Sequence, residues 1–172
     1  MEVSISVSRA ALIPLEYATD HLGDPLETVV GIHSTVSGEI GGSMLYIFSV
    51  GDGKGILKSL LDEDYECAAF TQESISALSE TANIVFSSYV NALYDFFNLG
   101  FDLTPPTCLV DILTAVFNDS VSGFGTDDKY VLLLQTQFSN ENFLSCPLII
   151  LITDYHNYRR LLELADEDVG GL

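Results

Sequence analysis

The chain has 172 residues and carries 25 acidic against 6 basic side chains, a formal net charge of −19. So few Lys and Arg exclude a nucleic-acid binder, which needs bases to displace phosphate counterions, and disfavour docking on an anionic membrane. At 48% hydrophobic, with 10 Phe and 8 Tyr, the composition also excludes disorder and supplies material for a core.

The length predicts one domain. Met1 and Glu2 open the chain without an apolar leader, and the most apolar runs, Tyr130–Leu134 and Pro147–Ile152, fall far short of the ~18 residues a spanning helix needs. Cys67, Cys108 and Cys146 are odd in number and widely spaced, so they read as buried thiols of a cytoplasmic protein. His21, His33 and His156 share no ligand spacing with one another or with the cysteines, so no metal is expected.

In chain order, Val3, Ile5 and Val7 alternate with Ser4, Ser6 and Ser8, the period of a strand with one buried face. Residues 14–22 predict a short helix ended by Gly23. Strands over 28–37 and 42–50 flank a turn at 38–41, and a helix over 54–61 follows, entered through Gly51, Gly53 and Gly55. Those glycines match neither a P-loop nor a dinucleotide fingerprint. The strongest helical signal covers 71–98, with Thr71 as N-cap and Gly100 just past the end. Residues 101–103 read as strand. After Pro105 and Pro106 comes an apolar segment, 109–117, that suits either strand or helix. A second hairpin is expected over 130–138 and 143–153, then a helix over 158–165 and a frayed tail over 166–172.

A weak internal repeat runs through this order. One constant offset pairs Ser37 with Ser139, Glu39 with Glu141, Ile47 with Ile149, Asp52 with Asp154 and Leu60 with Leu162. Each match falls at an equivalent place in a hairpin-then-helix unit. The division is 1–65 and 66–172, and only the second unit has a long helix before its hairpin.

On the long helix, a turn of about 100° per residue puts Ser76, Glu80, Asn83 and Ser87 in a polar stripe roughly 60° wide. Leu78, Ala82, Val85, Tyr89 and Phe96 fall across the helix as its core face. A solvated surface helix would show the same period. Yet Glu80 is the one charged residue between 76 and 91, and a carboxylate, an amide and two hydroxyls projecting together could place a water and meet a partner.

The spacing Ser76-x3-Glu80-x2-Asn83-x22-Pro106 resembles the signature of the CheC, CheX and FliY chemotaxis phosphatases. Residues 78–84 and 89–93 resemble the second half of CheC-type proteins, and residues 5–16 the strand after their first signature helix. The resemblance implies an α/β, pseudo-twofold CheC-like fold, with the long signature helix packed across a β-sheet. It implies hydrolysis of the aspartyl-phosphate on the response regulator CheY, with Asn83 orienting the attacking water and Glu80 pairing with the regulator's active-site Lys. Ser76 and Ser87 would sit in the same contact, and Pro106 would shape the chain beyond the helix. The Mg²⁺ would be the regulator's, with no cofactor in this chain. CheD is the second partner the resemblance brings, and a non-catalytic module docking CheD or phosphorylated CheY is the alternative reading.

One departure stands out. CheC proteins have two signature helices, whereas here Ser8 stands where the first signature would have its Pro, with no Glu-x2-Asn before it. A shortened chain, a divergent member and a protein that takes a helix from elsewhere are the three explanations. One active site per chain is expected, and an uncovered apolar face near 3–15 would favour a homodimer or a partner. The acidity is also compatible with a high-salt cytoplasm, where screening weakens self-repulsion.

Overall fold

Apolar strands build the framework in a computed structural model that describes residues 4–61, 69–123, 129–140, 143–145 and 147–169. The elements are β1 (Ser4–Pro14), a 3-10 turn (Leu15–Tyr17), α1 (Ala18–Leu22), β2 (Thr28–Gly38), β3 (Gly42–Ser49), α2 (Val50–Leu60) and α3 (Gln72–Phe97). They continue with β4 (Phe101–Leu103), β5 (Thr107–Ile112), α4 (Leu113–Val121), β6 (Lys129–Asn140), β7 (Phe143–Ser145), β8 (Leu148–Asp154) and α5 (Tyr155–Val169). The fold is mixed α/β around one antiparallel sheet.

The sheet runs β1-β6-β8-β3-β2-β4, with β5 beside β2 and β7 beside β6. Its middle is the β3–β8 seam, where Tyr46 faces Ile149 and Ile47 faces Leu148. A hairpin lies on either side of that seam, β2–β3 on one and β6–β8 on the other. Every residue of β3 from Gly42 to Phe48 is buried, as expected of a strand covered on both faces.

The pleat divides the apolar side chains between two layers. Tyr46, Phe48, Met44, Ile149 and Leu151 meet α2 and α3 on one face. Leu45, Ile47, Ile150, Ile152, Val131 and Leu133 meet Ile13, Ala18 and the α4 residues Leu113, Val116 and Phe117 on the other. Gly31 makes the α4 crossing possible, since a Cβ there would collide with Val116. Of residues 3–15, Ile13 is covered by this second layer, and Leu12, whose neighbour across the β1–β6 ladder is Leu132, is half-buried.

Four boundaries depart from expectation. The ambiguous segment 109–117 divides at Ile112/Leu113, where the Leu113 N–H turns to the Glu27 carbonyl and the Thr114 N–H to that of Pro25, ending the ladder. Helix α2 starts at Val50, ahead of the expected residue 54, because Ser49 caps it by accepting the Asp52 N–H at 3.0 Å. Gly51, Gly53 and Gly55 are therefore helical. The expected strand 143–153 is split into β7 and β8 around Pro147, although both keep one register against β6. Helix α5 starts at Tyr155, with Asp154 Oδ1 accepting the Asn157 N–H at 2.8 Å, and runs to Val169 through part of the tail expected to fray. The thiol of Cys108 is half-buried, and burial pushes its pKa up to about 11; Cys67 and Cys146 lie outside the described residues.

Glu39, in the β2–β3 turn, ties three elements together. Its carboxylate accepts the Gly100 N–H at 2.7 Å and the Arg160 guanidinium at 3.2 Å, and its own N–H donates to the Gly100 carbonyl. Gly38, with φ +110°, lets the chain turn into this knot, a conformation costly for any side chain. The Gly100 hydrogen bond, then Arg160, hold the Glu39 carboxyl below its ordinary value of 4.5. A lowered pKa stabilises the fold above the unfolded value and loses that contribution as pH falls through the folded one. Accordingly, the Tm difference between wild type and Glu39→Gln is expected to be constant above about pH 5.5 and to shrink as pH falls below 4.5; a difference independent of pH would remove the carboxylate from this role.

Candidate active site on helix α3

Helix α3 is set by its caps before it is set by packing. The Thr71 hydroxyl accepts the Ser74 N–H at 3.2 Å, and Asn98 ends the helix in the left-handed conformation, φ 53° and ψ 39°. Between them Leu78, Ala82, Val85, Phe86 and Val90 are buried against Val30, Ile32, Tyr46, Phe48 and Leu151. Tyr46 stacks edge-on to Phe48 at 5.0 Å and to Phe86 at 6.5 Å, which gives this contact a fixed geometry. Burial pushes up the pKa of Tyr46 and, to a smaller degree of burial, that of Tyr89, so both phenols stay neutral.

That seat turns the polar stripe to solvent. Ser76, Glu80 and Asn83 are exposed and Ser87 is half-buried. Glu80 and Asn83 are three residues apart, hence neighbours on one helical face. Thr81 and Ser88 bond back to the Ala77 and Ile84 carbonyls at 2.9 and 2.8 Å. Among the described residues, by contrast, the side chains of Ser76, Glu80 and Asn83 have no protein partner. A carboxylate and an amide held side by side on a rigid helix, both unengaged, can accept from a cation and orient a water.

Pro106 lies outside helix α3. It is half-buried in the β4–β5 connection, just after Thr104, whose N–H donates to the Thr35 carbonyl at 3.0 Å. Thr104 Oγ1 accepts the Thr35 N–H in return at 2.9 Å. Two residues missed in the sequence flank the stripe: Ile84, 62% exposed, and Tyr94, 51% exposed. Their position on the polar side of α3 was the available signal, since Tyr94 lies at roughly the same angle as Ser76. His33, read as unrelated to a site, has Nε2 3.0 Å from Asp119 Oδ2, and no cluster of three potential metal ligands occurs among the described residues.

The model of the CheC-like family matches residues 73–110, the span that contains α3 and the segment through Pro106. Over that span the chain is similar to the CheC-like family. It is 24% identical over 166 residues to the CheY-P phosphatase CheC of Bacillus subtilis, covering 93% of this chain and 79% of that protein. Among solved structures, FliY of Thermotoga maritima is similar with a TM-score of 0.70 at 13% identity, over 96% of this chain and 82% of that one. The H. pylori FliM of a FliM-SpeE complex gives a TM-score of 0.62 at 10% identity, over 96% and 80%. A structure of the CheX-CheY-BeF3-Mg complex of Borrelia burgdorferi gives 0.51 at 19% identity, over 82% and 96%. The fold of this chain is thus similar to that of the CheX, FliY and FliM structures, and no helix among its described residues is long and apolar enough to cross a membrane.

Two kinds of α3 variant should separate surface from seat. Phe86→Ala, which empties a fully buried site, is expected to lower unfolding free energy by about 3–5 kcal/mol. Asn83→Ala and Glu80→Gln, at exposed positions without protein partners, are expected to stay within about 0.5 kcal/mol of wild type. Urea unfolding measures both, and a large loss from either exposed variant would assign that residue to the structure.

Proposed function

We propose that this chain is a cytoplasmic chemotaxis phosphatase that hydrolyses the aspartyl-phosphate of the response regulator CheY. The observation that carries the reading is the pair Glu80 and Asn83, exposed and unengaged on one face of a firmly seated helix, inside the span matched by the CheC-like family model. The B. subtilis relative named a CheY-P phosphatase supports the substrate.

An acyl phosphate is already activated, so the enzyme's task is to position a water in line with the scissile bond. Asn83 orients that water through its side-chain amide. The water oxygen bonds to phosphorus, the bond to the aspartyl oxygen breaks, and the regulator recovers its carboxylate while the water proton passes to solvent. Glu80 pairs with the regulator's Lys and fixes the register; Ser76 and Ser87 border the contact. Nothing basic lies between Thr71 and Asp128, so neutralising the phosphoryl charge falls to the Lys and Mg²⁺ of the substrate. Pro106 acts at a distance, by shaping the segment after α3. The two-unit organisation, 1–65 and 66–172, belongs to the same reading; the hairpins on either side of the β3–β8 seam support it. CheD and a second copy of this chain are the further partners we propose, the latter supported by half-buried Leu12 and Leu132 at the β1–β6 edge.

A binding module without catalysis is the second reading. It is favoured by the breadth of this fold, since the similar H. pylori structure is a FliM in complex with SpeE. Decay of phosphorylated regulator distinguishes the two. Wild type is expected to accelerate it, and Asn83→Ala to lose about 100-fold or more of that acceleration, the usual scale for a group that positions the reacting water. Binding without acceleration would establish the second reading, and acceleration untouched by Asn83→Ala would move the site elsewhere.

A further inference from the structure

Away from the α3 stripe, a cleft of about 550 Å³ opens where α2 and the start of α3 meet β5 and the first residue of β2. Its walls come from the start of α2 (Val50, Lys54), from Phe70 and Ile75 ahead of and within α3, and from Cys108 and Val110 of β5. The volume falls within the roughly 300–1,000 Å³ of ligand clefts, and the lining is mostly apolar, with Thr28 and Lys54 as its polar side chains apart from the Cys108 thiol.

The sheet edge here is open. Strand β5 pairs with β2 on one side, from Thr28–Ile112 to His33–Thr107, and with no strand on the other among the described residues. The bond from the Leu113 N–H to the Glu27 carbonyl sets the phase of that ladder. Odd-numbered residues turn their main-chain groups towards β2, so those of Cys108 and Val110 turn outward. Ile112, next in phase, already donates its N–H to Asp111 Oδ1 at 2.7 Å. Outward main-chain groups remain at Cys108 and Val110, which line the cleft together with Leu109.

Charge selects the occupant. Of the six bases, Arg159 pairs with Glu163, Arg160 with Glu39, and Lys129 with Asp154, while the side chain of Arg9 is not described. Lys54 and Lys58 form no ion pair among the described residues. Spaced four apart on α2, they share the helical face that begins with Val50 at the cleft. In a chain of net charge −19, two unpaired ammonium groups beside an apolar cleft and an open strand edge make one compound surface.

We infer that this surface binds an extended acidic segment of a partner protein: its backbone adds a strand to β5 at Cys108 and Val110, an apolar side chain fills the cleft, and its carboxylates meet Lys54 and Lys58. Strand addition supplies affinity through the main chain and specificity through alternate side chains. Two lysines are too few for a nucleic acid against the overall charge. The surface involves neither Glu80 nor Asn83, so it stands whether or not the phosphatase reading does.

The probe is an acetylated, amidated hexapeptide of alternating Val and Glu, titrated into the full chain up to about 1 mM. Binding is read by NMR shifts and by amide hydrogen exchange. The Val-Glu peptide is expected to slow exchange at the Cys108 and Val110 amides and to leave Leu109 and Asp111, already bonded to β2, unchanged. Replacing its Glu by Gln, or Lys54 and Lys58 together by Gln, is expected to weaken binding about tenfold or more. Absence of binding, equal affinity for the Gln peptide, or protection at another edge overturns the proposal. The regulator-decay assay with Lys54→Gln and Lys58→Gln is expected to match wild type; a loss there would assign these lysines to the α3 contact, against the proposal.

Discussion

Everything proposed for α3 depends on how it is seated against β3 and β8. Leu78, Ala82, Val85, Phe86 and Val90 fill the layer over Tyr46, Phe48 and Leu151, and Ala82 and Phe86 are fully buried. Rotating the helix by one residue, about 100°, would drive Glu80 towards that layer and lift buried side chains into water. Burying an unpaired carboxylate costs several kcal/mol, and exposing a large apolar side chain costs about 1.5–3 kcal/mol. The direction of the polar stripe is therefore a consequence of the core. The water-positioning role proposed for Asn83 would need such a fixed platform more than a reactive group.

The far end of the helix is held by different physics. Past Asn98, Leu99 enters a small cluster with Ile40 and Leu161, and Gly100 exchanges hydrogen bonds with Glu39. Arg160 closes the knot from α5. A turn, the end of α3 and the last helix thus converge on one exposed carboxylate, although they lie about sixty and about 120 residues apart. Apolar contact sets the rotation of α3, and polar contact anchors its end.

The scarcity of bases gains meaning from where the bases sit. Three of the described five are spent on pairs at β6 and α5. The α3 region holds none, which suits a partner that brings its own Lys and metal. The remaining two stand together on α2 beside an open strand edge. Composition alone gives the deficit, whereas the division of the few cations between structure and surface appears when distant elements are brought together.

Local patterns were enough for much of this architecture. The period of α3, its Thr71 cap and its end near Gly100 were legible, as were the β2–β3 hairpin and the shared face of Ser76, Glu80, Asn83 and Ser87, because all are set by spacing within a few residues. Segment 109–117 was not, since an apolar, β-branched run suits both strand and helix until Glu27 and Pro25, far along the chain, take its amides. The start of α2 at Val50 is masked in the sequence by Gly51, Gly53 and Gly55, poor helix formers that the single Ser49 cap overrides. By itself the sequence determined which residues could carry chemistry and which side of α3 they share. Their freedom from protein partners, the half-burial of Pro106, and the cleft assembled from residues 28, 50, 54, 69, 70, 75 and 108–110 were decided by the tertiary structure, because burial and long-range pairing have no local signature.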